Sequence, residues 1–181
     1  MIYVFLADGF EECEALAPVD ILRRGGYEVK TVGIGGKTVT GSHKIPVVCD
    51  ITEGETETDG LQMIILPGGM PGTVNLEKSG CVQSFIDFAA EKGLFIAAIC
   101  AAPLILGHKG LLKGRRATCF NGFEKELLRA EVLDEPVVTD GNITTAFGAG
   151  AACDFGFRLL SELDGDPKNA DALRKSMKYN K

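Results

Sequence analysis

The sequence predicts an α/β protein, a three-layer α/β/α sandwich built around a mostly parallel sheet. Three observations predict it. Short, almost wholly apolar runs alternate with amphipathic stretches of helical period along the whole chain, and strands that are apolar on both faces belong to parallel sheets covered by helices. Glycine and proline clusters such as Gly25-Gly26 and Pro67-Gly68-Gly69 punctuate the runs, as turns between such elements require. The chain has 181 residues, 45% of them hydrophobic and 7% aromatic, which suits a single domain over residues 1–181 and leaves no room for two ordinary ones.

Ile2 to Ala7 reads as a buried strand and is followed by an acidic, glycine-containing loop, Asp8 to Glu14. Ala15 to Arg24 reads as a helix that tolerates Pro18 only in its first turn and stops at Gly25-Gly26. Tyr27 to Ile34 is the next strand, with Gly33, Gly35 and Gly36 marking a turn. Thr38 to Thr40 and Ile45 to Cys49 have the pattern of a hairpin excursion. Met63 to Leu66 forms an apolar strand ending in Pro67-Gly68-Gly69, and Val82 to Glu91 a helix with Val82, Phe85 and Ile86 on its apolar face.

Leu94 to Ile99 is the most hydrophobic strand, and Ala101 to Leu112 follows it as a helix. Late strands are expected at Ala117-Thr118-Cys119, Val137 to Thr139 and Ile143 to Ala146. Ala151 to Leu163 is a packed helix, and Asp166-Pro167 opens a short polar one. The arrangement is flavodoxin-like, and such sheets bind ligands outside the carboxyl ends of their strands. That rule selects three loops: Asp8 to Glu14, Pro67 to Gly72, and Cys100 to Pro103.

Charge excludes some classes of partner. With 19 Lys plus Arg against 25 Asp plus Glu, the net charge of -6 repels phosphate backbones, so nucleic acid is not an expected partner. No apolar stretch is long enough to span a bilayer, and the start of the chain lacks a basic targeting region, so a cytoplasmic protein with no membrane contact is expected. The six cysteines contain no CxxC pair, and neither histidine sits at ligand spacing from a cysteine pair. No disulfide framework and no metal site is expected; most of the thiols read as small buried hydrophobes.

One thiol stands apart. In Ala97-Ala98-Ile99-Cys100-Ala101-Ala102-Pro103 an apolar strand runs into a nucleophile flanked by small residues that open a helix. Small neighbours permit the sharp strand-to-helix turn of a nucleophile elbow, and a helix start favours thiolate. A buried structural cysteine has the same local pattern. Pro67-Gly68-Gly69 offers unencumbered amides at the same sheet end, where the Gly69 and Ala101 amides can hold an oxyanion; a plain glycine turn would look alike. Glu14 closes the first loop within reach of that edge, whereas Glu11 and Glu12 read as solvated side chains.

The run Leu6 to Glu14 with Pro18-Val19-Asp20 resembles the opening of the DJ-one/ThiJ proteins, and so do Leu66 to Gly69, Ala97 to Pro103 and Ala117-Thr118-Cys119. The resemblance spans nearly the whole chain in the right order. It is to the DJ-one/ThiJ/PfpI superfamily, class I glutamine amidotransferase-like, and to its bacterial DJ-one/ThiJ branch in particular. It implies a flavodoxin-like homodimer in which Cys100 is the nucleophile and contacts a protonated Glu14. A carboxyl group desolvated in this way has a raised pKa, and its hydrogen bond to sulfur would lower that of the thiol. The implied activity is cofactor-independent chemistry on small aldehydes, of glyoxalase III or deglycase type. Redox sensing through an oxidisable Cys100 is the alternative, since both need an accessible thiolate.

Several positions depart from the family pattern. Ala101 replaces the histidine that follows the cysteine in the protease branch, and Phe120 stands where some members carry a histidine. Phe147 replaces an arginine of the late glycine loop, and Ala149 its proline. Gly68, His43, Phe120 and Phe147 are pocket candidates; His43 is on the hairpin excursion, where the resemblance implies a charged residue near the partner subunit's site, and it reads equally as a surface or packing histidine. His108 reads as structural or exposed. Gly148-Ala149-Gly150 is only a partial dinucleotide fingerprint, because Cys153 stands where its third glycine belongs. No cofactor is expected.

Overall fold

In the computed structural model, which describes residues 1–179, strand β1 (Ile2–Leu6) is buried along its whole length. Successive side chains of a strand point to opposite faces, so Tyr3 and Phe5 enter one apolar layer while Ile2, Val4 and Leu6 enter the other. Helix α1 (Glu12–Arg24) follows, then β2 (Val29–Gly33), the hairpin β3 (Thr38–Thr40) and β4 (Pro46–Val48), and β5 (Ile51–Thr52). Next come β6 (Met63–Leu66), α2 (Gly72–Lys78), α3 (Gly80–Lys92), β7 (Phe95–Ile99) and α4 (Pro103–His108). The short strands β8 (Arg116–Ala117) and β9 (Glu131–Val132) precede β10 (Val137–Asp140), β11 (Ile143–Ala146), α5 (Ala152–Asp164) and α6 (Lys168–Ser176).

Seven strands form the main sheet in the order β10-β11-β7-β6-β1-β2-β5, and every pairing is parallel except β10 with β11. One apolar layer is completed by Val82, Phe85, Ile86 and Ala89 of α3 and by Leu104 and Ile105 of α4. The other is completed by α1 and α5, with Val19, Ile21, Leu22, Phe155 and Leu160. This is the expected three-layer α/β/α sandwich. Chain order reverses across β1: β2 lies on one side of it and β6 on the other. Loops after β1 and β6 therefore flank the switch point at which such sheets bind ligands.

Some expected elements differ. Helix α1 starts at Glu12, not Ala15, because the Glu11 side chain caps it by accepting the Glu14 amide at 2.8 Å. Pro18 is consequently inside the helix and beyond its first turn. Helix α4 spans only Pro103–His108, since proline fits a helix start and Gly110, with φ 74, ends the run soon after. Ala117-Thr118-Cys119 is not a strand of the main sheet; Arg116–Ala117 pairs with β9 outside it. Helix α2 and strands β5 and β9 were not expected. Among the described residues, no helix is long and apolar enough to cross a membrane.

Candidate active site

Strands β7, β6 and β1 are neighbours, so the three loops selected above meet at one sheet end. Cys100 forms the turn between β7 and α4 with φ 65, a left-handed conformation that costs a non-glycine residue about 1–3 kcal/mol. Two hydrogen bonds hold it there. Its amide donates to the Ala146 carbonyl at 2.8 Å, and its carbonyl accepts the Phe120 amide at 2.8 Å. The elbow is thus built by β11 and the segment after β8, not by α4 alone.

Gly68 brings the three loops into contact. A Cβ there would lie 2.6 Å from the Cys100 Cβ, 2.6 Å from Glu14 Oε2 and 2.9 Å from the Ile99 carbonyl oxygen, so only glycine fits. Its amide donates to Glu14 Oε2 at 3.0 Å, and its carbonyl accepts the Glu11 amide at 2.9 Å. Glu14 itself is in the first turn of α1 and only 1% exposed. Burial drives its carboxyl from 4.5 up to about 7, against a hydrogen bond from Cys100 and the amides of Gly68 and Ala149, which favour the carboxylate.

The sulfur has its own donors, the Gly69 and Ala101 amides, which favour thiolate. They do not prevail. Burial first, then the charge of the Glu14 carboxylate and the hydrogen bond to it, push the Cys100 thiol up to about 12. The expectation of a lowered thiol pKa is therefore corrected, while that of a raised Glu14 pKa holds. Each anion faces two backbone N–H groups, and the two acids face each other, so their titrations belong to the pair. When Glu14 holds the proton it becomes a donor to sulfur. When Glu14 is ionised it is a base beside a neutral thiol.

The other candidate residues divide. Phe120 is half exposed at the rim, and the Cβ position of Gly148 lies 3.1 Å from its ring and 3.9 Å from Glu14 Oε1. Phe147 lines a cavity of about 220 Å³ together with Phe120, Asn121 and Asp134. His43 pairs instead with Glu12, its Nδ1 lying 2.9 Å from Oε2 and its amide donating to Oε1 at 2.9 Å. Glu12 is accordingly buried, at 6% exposed, rather than solvated. Glu11 is the helix cap.

Among the described residues, Glu11, Glu12 and His43 bring three potential ligand atoms within 4.8 Å of one another. The ion pair between His43 and Glu12 accounts for that geometry without a cation. All six cysteines are free, but only Cys49 and Cys119 are buried; Cys13 is exposed and the rest are half-buried. Sequence reasoning missed Ala149 as a contributor. Its amide favours the Glu14 carboxylate, a role that proline, which lacks an N–H, cannot fill; the departure from the family proline was the available signal.

Comparison with known proteins establishes the lineage of the chain. The chain is 34% identical over 168 residues to Protein dj-1beta of Drosophila melanogaster, covering 91% of this chain and 90% of that one. The structure of a cysteine-to-alanine mutant of the DJ-1 superfamily protein STM1931 from Salmonella typhimurium superposes with a TM-score of 0.94 at 35% identity, covering 99% of this chain and 98% of that one. The oxidized form of Toxoplasma gondii DJ-1 gives a TM-score of 0.92 at 28% identity, covering 97% and 96%. The DJ-1/PfpI family model matches residues 1–162, and with the fold and loops described above it places this chain in the DJ-1/PfpI family.

Proposed function

We propose that the chain is a cofactor-independent enzyme acting on small reactive carbonyls such as methylglyoxal or glyoxal. The observation that carries this reading is the Glu14 carboxyl, raised to about 7 and hydrogen-bonded to the Cys100 thiol. A group titrating near neutrality serves equally as base and acid. Ionised Glu14 takes the thiol proton as sulfur adds to the aldehyde carbon, forming a hemithioacetal. The Gly69 and Ala101 amides, which face the sulfur, stabilise the oxyanion generated beside it. Glu14 then returns its proton to that oxygen and is again a base, able to move the carbon-bound proton that leads from an α-oxo adduct to a hydroxy acid after water releases the sulfur.

The structure of Toxoplasma gondii DJ-1 described as oxidized favours a second reading. Peroxide would convert Cys100 to a sulfinate, and protonated Glu14 would donate a hydrogen bond to it. Steady-state turnover of methylglyoxal, measured beside a Cys100→Ser control, separates the two. Release of lactate by the wild type and not by the variant is the expected result. Absence of turnover, with stoichiometric oxidation of Cys100 by peroxide, selects the sensor. The reading further includes a cytoplasmic homodimer: six free thiols suit a reducing compartment, and Leu16, Ile45 and Val48 of α1 and the hairpin leave apolar surface exposed.

A further inference from the structure

Beyond the Cys100–Glu14 pair lies a trough of definite chemical character. Its near end is the cavity of about 220 Å³ walled by the rings of Phe120 and Phe147, with Asn121 and Asp134 at its polar side. Asn121 and Asp134 also line a second cavity, of about 410 Å³, in which Glu124 adds another carboxylate. The two cavities share those two lining residues, and among the described residues no Lys, Arg or His lines either. The Glu124 carboxyl is held below its ordinary range by its own amide and that of Gly122, the latter at 2.9 Å and 3.1 Å from the two oxygens. The Cβ position of Gly148 lies 3.1 Å from the Phe120 ring and 3.9 Å from Glu14 Oε1, so the aromatic end of the trough is close to the carboxyl partner of Cys100.

Aromatic faces with nearby carboxylates attract cations and repel anions. We propose that this trough binds an alkylammonium or guanidinium group carried by the substrate. The site then selects carbonyl compounds that bear a positive charge a few bonds from the reacting carbon, and disfavours those that bear a carboxylate. Phe120 and Phe147 supply the faces, and Asp134 and Glu124 the charge. This inference rests on the carbonyl-enzyme reading for the word substrate, but the charge preference of the approach to Cys100 is testable without turnover.

The test uses three methanethiosulfonates: aminoethyl, which is cationic, sulfonatoethyl, which is anionic, and methyl, which is neutral. In each the Cys100 thiolate displaces methanesulfinate and forms a mixed disulfide. Rates at Cys100 are followed by peptide mass mapping at low ionic strength, and normalised to each reagent's rate with glutathione and to each protein's own methyl rate. An exposed ion pair and a cation–π contact together correspond to a preference of about three- to tenfold for the cationic reagent. The double variant Asp134→Asn with Glu124→Gln should lose most of it, and Phe120→Leu part of it.

Equal normalised rates for the two charged reagents overturn the proposal. So does a preference that the variants leave intact, or a Cys100 closed to all three. A wild type that shows the preference but does not turn over methylglyoxal retains the trough and loses only the enzymatic reading. The reverse result removes the trough alone.

Discussion

Glu14 stores an electrostatic penalty that can be read from stability. Its carboxyl rises from 4.5 to about 7 on burial, and at about 1.4 kcal/mol per pH unit this corresponds to roughly 3 kcal/mol. Below pH 4.5 the group is protonated in both states and contributes nothing. Between 4.5 and about 7 the unfolded chain has lost the proton that the folded protein retains, so stability falls as pH rises. Above that window the loss is complete. Glu14→Gln abolishes the titration. Any hydrogen bond from the Gly68 or Ala149 amide that the variant's amide group fails to accept costs about 1–3 kcal/mol, the same at every pH, and cancels between conditions. Urea denaturation at about pH 5 and about pH 8 should show the wild type losing about 2 to 3 kcal/mol more than the variant. Equal losses refute the buried-acid assignment.

Limiting iodoacetamide at neutral pH should modify exposed Cys13 before half-buried Cys100, whose thiol is pushed up to about 12, as read by mass spectrometry; labelling of Cys100 first contradicts the raised thiol. Gly68→Ala sets a methyl group 2.6 Å from both the Cys100 Cβ and Glu14 Oε2, so a stability loss of about 1–3 kcal/mol and loss of methylglyoxal turnover are expected. Gly80→Ala, with nothing within 4 Å, is the neutral control. Sedimentation at micromolar protein should report a dimer, and a lone 19.3 kDa species removes that proposal.

The longer strands were legible as short runs rich in apolar residues between glycines or prolines, and Met63–Leu66 and Ile143–Ala146 have their expected bounds, whereas the two-residue strands β5 and β9 have no such run. The elbow was legible from the small residues around Cys100. Helix α2 was not: it has seven residues, of which only Gly72, Thr73 and Leu76 are buried, too short a face to display a period. The burial of Glu12 depends on His43, 31 positions away on a hairpin whose folding back no local pattern records. The contribution of Ala149 is a backbone amide and has no side-chain signature. The raised thiol of Cys100 follows from how deeply the turn is buried, which motif and spacing do not carry.

The central claim is that Cys100 and Glu14 share their protons, and the pH dependence of Cys100 alkylation tests it most directly. Rates for the wild type, Glu14→Gln and Glu14→Ala should be followed at Cys100 itself, so that the other thiols do not contribute. The wild type should show an inflection near 7, where the pair loses its first proton, followed by a further rise toward the thiol's own titration at about 12. Both variants should lack the inflection near 7 and retain a single rise belonging to the thiol. Three coincident profiles would show that Glu14 is not the partner of Cys100, and the account of the site would fall with it.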